Sequence, residues 1–165
     1  MFRSVDLPQG VPGRLLLHSM PGRYEAIEKV WHQVTHEAVG AIVCLAEKEE
    51  IRLKSSAYAD ALDAGNVPCS VLPFEIPEGG APGDRDAFWG LAADVARRLQ
   101  LGEIVLIHCA GGVGRTAMLA ISVLIALGQP VGEAQSVVSR AGSMLETLPQ
   151  GQLISWCALQ MRIKA

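Results

Sequence analysis

The apolar positions of this chain fall into short continuous runs separated by stretches with a helical period. Leu15-Leu16-Leu17-His18 and Ala41-Ile42-Val43-Cys44-Leu45 have the length of strands. Between them, Tyr24 to Val39 carries apolar residues at mixed three and four spacing, so the segment predicts a β-α-β unit. Ser55 or Ser56 caps a helix through Ala64 that Gly65 ends, and Cys69 to Phe74 is a further strand. Glu75 to Gly83 contains Pro77, Gly79, Gly80, Pro82 and Gly83 and can continue neither element, so it is a loop. Asp84 then N-caps a helix over Arg85 to Leu101, closed by Gly102. Ile104-Val105-Leu106-Ile107-His108 is a β-branched apolar run, the pattern of a strand covered on both faces in a mostly parallel sheet. Thr116 to Leu127 is an apolar helix ended by Gly128, Pro130 opens a helix through Arg140, and Gln150 to Ile163 forms the last one. Strands alternating with helices predict an α/β fold, whose ligands bind at the carboxyl ends of the parallel strands.

Composition narrows the class. A length of 165 residues suits one domain, expected over residues 1–165. The apolar run from Ala117 to Leu127 is broken by Ser122 and too short to cross a bilayer, and Met1 to Pro8 lacks an apolar signal core, so a cytoplasmic protein is expected. A net charge of −3 with the signs interspersed provides no polycationic surface for nucleic acid or anionic lipid. Cys44, Cys69, Cys109 and Cys157 are too scattered for a disulfide framework or a zinc pair, and His18, His32 and His36 form no ligand cluster. No metal and no cofactor are expected, and the oligomeric state is left open.

One segment concentrates chemistry. In His108-Cys109-Ala110-Gly111-Gly112-Val113-Gly114-Arg115-Thr116, five residues, three of them glycine, separate a cysteine from an arginine between a buried strand and an apolar helix. Glycines let successive backbone N–H groups turn inward as an anion nest, to which the helix N-terminus adds its own donors and positive dipole end. Arg115 offers a planar fork for two phosphoryl oxygens, and the same field favours thiolate at Cys109. Thr116 can donate its hydroxyl to that sulfur, and His108 can fix the loop through backbone hydrogen bonds. A Walker loop would need lysine where Arg115 stands.

His-Cys-x-x-Gly-x-Gly-Arg-Thr resembles the phosphate loop of the protein tyrosine and dual-specificity phosphatases. The stretches Leu17 to Arg23, Leu45 to Glu50 and Glu75 to Pro82 are similar to the kinase-associated-phosphatase-like subgroup. The resemblance implies a central mostly parallel sheet flanked by helices, no metal, and hydrolysis of phosphotyrosine, with or without phosphoserine and phosphothreonine, on phosphoprotein substrates. It implies Cys109 as nucleophile, Arg115 as the transition-state clamp, and Ala110, Gly111, Gly112, Val113 and Gly114 as the phosphate cradle. The family's general acid is an aspartate; here Glu78 takes its place in Ile76-Pro77-Glu78-Gly79-Gly80, with Asp84 and Asp86 as rivals whose ordinary role is helix capping. Gln150, with Gln152 as second choice, matches the glutamine that positions the hydrolytic water, and Arg23 can steer substrate. Glu47 and Glu50 resemble an acidic loop in which a carboxylate orients the arginine, yet such a run more commonly forms a solvated turn. Cys44 reads as a core thiol, with a disulfide to oxidised Cys109 as the alternative. A phosphate-binding pseudophosphatase and a phosphoinositide or inositol phosphate phosphatase are the rival functions; the absence of lysine from Ala110 to Gly114 argues against the latter.

Overall fold

The computed structural model of the chain describes residues 1–164. Five strands, β1 (Arg3–Val5), β2 (Arg14–His18), β3 (Ala41–Cys44), β4 (Ser70–Pro73) and β5 (Ile104–His108), form one sheet. Their order is β1-β2-β5-β3-β4; β1 runs antiparallel to β2, and every other pairing is parallel. Parallel neighbours require crossovers, here made by α1 (Ile27–His36) after β2, α2 (Lys48–Lys54) and α3 (Ser56–Ala64) after β3, and α4 (Arg85–Gln100) after β4. Three more helices, α5 (Gly114–Ala126), α6 (Val131–Arg140) and α7 (Leu148–Lys164), complete the chain. The fold is α/β, a mostly parallel sheet flanked by helices.

Strand side chains alternate between two cores, as a period of two demands. Leu15, Leu17, Val43, Val105 and Ile107 pack with Phe88 and Leu99 of α4, Met118 and Leu124 of α5, Val138 of α6 and Ile154 of α7. The other face places Leu16, Ile42 and Leu106 against Val30 and Val34 of α1. Burial on both faces accounts for the uninterrupted apolar run of β5. Helix α5 is buried from Gly114 through Ile125 and contacts α4, α6 and α7, so it needs no polar face.

The expected stops and starts are made by the expected residues. The Ser55 hydroxyl accepts from Tyr58 N–H at 3.3 Å, Gly65 ends α3 in the left-handed region at φ 67°, and the Asp84 carboxylate accepts from Ala87 N–H at 2.9 Å. Two elements depart from the sequence expectation. β1 was not foreseen; three residues at an edge are too few to show a period. The acidic stretch after Leu45 is not a solvated turn but runs into helix α2, because Ile51 packs against Met20, Tyr58 and Ala110 while Glu50 and Lys54 pair one turn apart at 2.9 Å. No helix among the described residues is long and apolar enough to cross a membrane.

Candidate active site

The carboxyl ends of β2, β3 and β5 lie side by side, with His18, Cys44 and His108 in register. The chain leaving β5 is held between its neighbours: His108 C=O accepts from Leu45 N–H at 3.0 Å and Ala110 C=O from Met20 N–H at 3.1 Å. Buried His108 braces it further. Its Nδ1 lies 2.9 Å from Cys109 C=O, which can only accept, so this nitrogen carries the proton. Burial lowers the pKa of the imidazole and keeps it neutral, so Nε2 accepts from the Tyr58 hydroxyl at 2.9 Å.

The loop then wraps around the Cys109 sulfur. Gly112 N–H donates to Sγ at 3.3 Å and the Thr116 hydroxyl at 3.1 Å. Gly112 sits at φ 73°, a left-handed conformation that turns its N–H inward, and a Cβ there would collide with His18 C=O and lie 2.9 Å from Arg3 Nη2. Burial of the thiol works to raise its pKa. The Thr116 hydroxyl, the Arg115 charge and the Thr116 and Gly112 N–H groups outweigh it, and the net shift is downward.

Arg115 is buried at the start of α5. Its Nη1 donates to Glu50 Oε2 and to Ile76 C=O, and its Nη2 to Glu50 Oε1, each at 2.8 Å. A guanidinium has five N–H groups, so this end-on clamp leaves Nε–H and one Nη2–H, a second fork, with no protein acceptor among the described residues. Only 9% of the Glu50 side chain is exposed, and the Arg115 guanidinium, helped by Lys54 against the effect of burial, brings its carboxyl pKa to about 2. This corrects the expectation of a solvated acidic turn: Glu50 orients Arg115, whereas Glu47 stands exposed at the start of α2. The i,i+4 spacing of Glu50 and Lys54 was the legible sign of a helix here.

A cleft of about 110 Å³ is lined by Arg23, Glu78, Gly79, Cys109, Gly111, Val113, Gly114, Arg115 and Glu146. Of the three acid candidates Glu78 alone is among them. Its side chain is 68% exposed, and Oε1 lies 3.0 Å from Lys54 Nζ, which also holds Glu50. Asp84 caps α4 and Asp86 is exposed in its first turn; neither lines the cleft. Arg23 lines the cleft with its guanidinium over the Tyr24 ring at 4.7 Å. Gln150 is fully buried beside the cleft, its Oε1 accepting from Glu146 N–H at 2.9 Å and its Nε2 donating to Gly80 C=O at 3.3 Å; Gln152 is exposed. Cys44 is a buried free thiol whose pKa burial pushes up to about 11. Among the described residues no three His, Cys, Asp or Glu side chains gather as metal ligands.

Two residues went unnoticed in the sequence. Arg3 of β1 donates to Gly112 C=O at 2.7 Å, to Ala141 C=O at 2.9 Å and to the Ser143 hydroxyl at 3.0 Å, and Ser143 itself donates to Gly112 C=O at 2.6 Å. Together they hold the outward carbonyl of the peptide whose neighbouring N–H meets the sulfur. Arg3 is 109 residues from Gly112, and no local pattern announces such a contact.

A mostly parallel sheet whose β5 runs into this loop defines the class of cysteine-type dual-specificity phosphatases. The chain belongs to the family described as "Polymorphic toxin system, DSP-PTPase phosphatase", whose model matches residues 18–129. It is 32% identical over 79 residues to cyclin-dependent kinase inhibitor 3 of Rattus norvegicus, a match covering 46% of this chain and 37% of that protein's length. A crystal structure of kinase associated phosphatase, with its catalytic-site cysteine replaced by serine, superposes with a TM-score of 0.79 at 19% identity, covering 99% of this chain and 94% of that one. The active form of Tk-PTP gives 0.72 at 26% identity, covering 91% and 95%.

Proposed function

We propose that this chain hydrolyses phosphotyrosine, with or without phosphoserine and phosphothreonine, on phosphoproteins through a covalent phosphocysteine at Cys109. The observation that carries this reading is a depressed-pKa thiol at the bottom of a cleft, facing an arginine whose outer fork is unused. The phosphoryl group binds the N–H nest of Ala110 to Gly114 and the free edge of Arg115, with Arg23 at the rim. Glu78 releases its Lys54 contact and takes up a proton from solvent; Cys109 Sγ then attacks phosphorus, the P–O bond breaks, and the leaving oxygen takes that proton from the Glu78 carboxyl group. The Thr116 hydroxyl supports the thiolate when water later displaces it. Phosphoinositides fit less well, since no lysine lies in the loop and two carboxylates, Glu78 and Glu146, stand on its rim. The rat relative's name refers to cyclin-dependent kinase, which makes a phosphorylated kinase a reasonable first protein substrate to assay.

Cys109→Ser should abolish turnover of a phosphotyrosine peptide while retaining its binding, because the nest remains and only the nucleophile weakens. Retained turnover in that variant would end the proposal. One observation favours a second reading, a phosphopeptide-binding pseudophosphatase: Glu78, the one acid candidate that lines the cleft, is ion-paired with Lys54. Release of phosphate in a single turnover of the wild-type chain separates the two.

A further inference from the structure

The glutamine expected to position the hydrolytic water does not line the cleft, and both ends of its side chain hold protein partners. Gln150 is fully buried, its carbonyl occupied by Glu146 N–H and its amide by Gly80 C=O. What it delivers to the cleft is the side chain of Glu146. That carboxylate lies over Gly114, the first residue of α5: a Cβ added there would collide with Oε2 and come within 2.9 Å of Cδ and 3.1 Å of Cγ. Glu146 lines the same cleft as Cys109 and Arg115, is exposed to solvent, and has no protein donor on its carboxylate among the described residues. Glu78, the other carboxylate of the cleft, is engaged by Lys54 at 3.0 Å. The helix N-terminus beneath Glu146 favours a negative group at that position, and Gly114, lacking a side chain, leaves the space it occupies.

We infer that Glu146 is the proton acceptor for the water that hydrolyses the phosphocysteine, with Gln150 as its positioning residue; the inference rests on the phosphocysteine reading above. In the free protein the carboxylate rests where solvent enters the cleft. An arriving phosphomonoester enters the space over Gly114 that the carboxylate occupies, and the side chain, unbonded and exposed, moves aside for the first step. Once the leaving group has departed, water oxygen attacks phosphorus, the P–Sγ bond breaks, and its electron pair returns to Cys109 as thiolate. That thiolate is received by Thr116 Oγ1–H and Gly112 N–H. One water proton passes to the Glu146 carboxylate, and inorganic phosphate leaves.

The test is rapid acid-quench trapping of phosphoenzyme with a radiolabelled aryl phosphate of acidic phenol, for which formation needs no acid. Glu146→Gln should leave phosphoenzyme formation unchanged and slow its decay about a hundredfold, since general-base assistance is lost. Gln150→Leu should slow decay by less, because it loosens Glu146 without removing the carboxylate. An unchanged decay rate in Glu146→Gln, or a larger effect from Gln150→Leu, overturns the assignment; slow decay in Glu78→Gln alone transfers the base to Glu78. If Glu146→Gln traps no phosphoenzyme the inference also falls, and turnover surviving Cys109→Ser would then show that the phosphocysteine reading had failed first.

Discussion

Two loops meet at the cleft and are built by opposite means. The loop from Cys109 to Thr116 is buried except at Gly111 and Val113 and tied on every side: Met20 and Leu45 hold its entry, His108 its first carbonyl, Arg3 and Ser143 its outward peptide, and Glu50 its arginine. The loop from Glu75 to Gly83 is anchored by its backbone, through Ile76 C=O to Arg115 and Ile76 N–H to Leu45, while its acid hangs in solvent on one lysine. Charge stabilisation gains from donors that need not reorganise, whereas a proton donor has to exchange partners during the reaction. Rigidity therefore belongs to the first loop and an exchangeable contact to the second.

Changes in the rigid loop should cost most. Arg115→Lys substitutes a point charge for a fork whose inner edge is held by Glu50 and whose outer edge is free for phosphate, and kcat/KM should fall on the order of a thousandfold with every substrate. Steady-state kinetics on both an aryl phosphate and a phosphopeptide measure this; a loss confined to one substrate would contradict it. Glu50→Gln comes next, with a loss on the order of a hundredfold, because Arg115 keeps its charge but loses the contact that aims it. The same variant carries a pH signature. Glu50 has its carboxyl lowered from 4.5 to about 2, so the pair stabilises the fold fully above pH 4.5, and this contribution disappears as pH falls towards 2. Denaturant melts of wild type against Glu50→Gln should diverge above that window and converge at its acid end.

The exchangeable loop should respond selectively. Glu78→Gln should slow a phosphotyrosine peptide about a hundredfold, yet scarcely affect an aryl phosphate whose phenol leaves unaided. Asp84→Asn and Asp86→Asn should lack that contrast, since one caps α4 and the other faces solvent. A leaving-group dependence appearing in Asp84→Asn would move the acid to the helix start and undo the contrast between the loops.

What could be read in advance follows the same division. The four parallel strands, the helix caps at Ser55 and Asp84, the C-cap at Gly65 and the whole of β5 were legible, because they rest on period and on local hydrogen bonds. The nest was legible as well: Gly112 and Gly114 announce places where a side chain does not fit, even though Gly114 makes its room for Glu146. Hidden from a linear reading were the partners brought in by topology. Glu50 meets Arg115 across 65 residues, and nothing in an acidic stretch says which carboxylate turns inward. Gln150 matched a pattern by type and spacing, but its amide is spent on Glu146 and Gly80, which only the folded chain brings to it.

Arg3 supplies the mildest test, since it acts on the rigid loop from outside. Its guanidinium meets Gly112 C=O at 2.7 Å, but Ser143 holds the same oxygen at 2.6 Å, so removing Arg3 leaves the peptide with one of its two donors. Arg3→Met preserves much of the side chain's bulk and deletes the charge. A hydrogen bond from a charged group is worth about 1.5–3 kcal/mol, and with Ser143 still in place the lower end applies, or about tenfold weaker binding of a phosphotyrosine peptide to the Cys109→Ser form. A cation at this position also favours the ionised form of Cys109. The Cys109 pKa lies below its usual 9.0, so losing a nearby cation moves it upward, and the midpoint of thiol alkylation against pH should shift to higher pH. Thr116→Ala, which removes the strongest of the contacts that lower this pKa, should shift it further in the same direction. If Arg3→Met weakens peptide binding without moving the alkylation midpoint, Arg3 serves only the shape of the loop. If it moves neither, the outward peptide of Gly112 is held by Ser143 alone, and the rigid loop is less dependent on β1 than its hydrogen bonds imply.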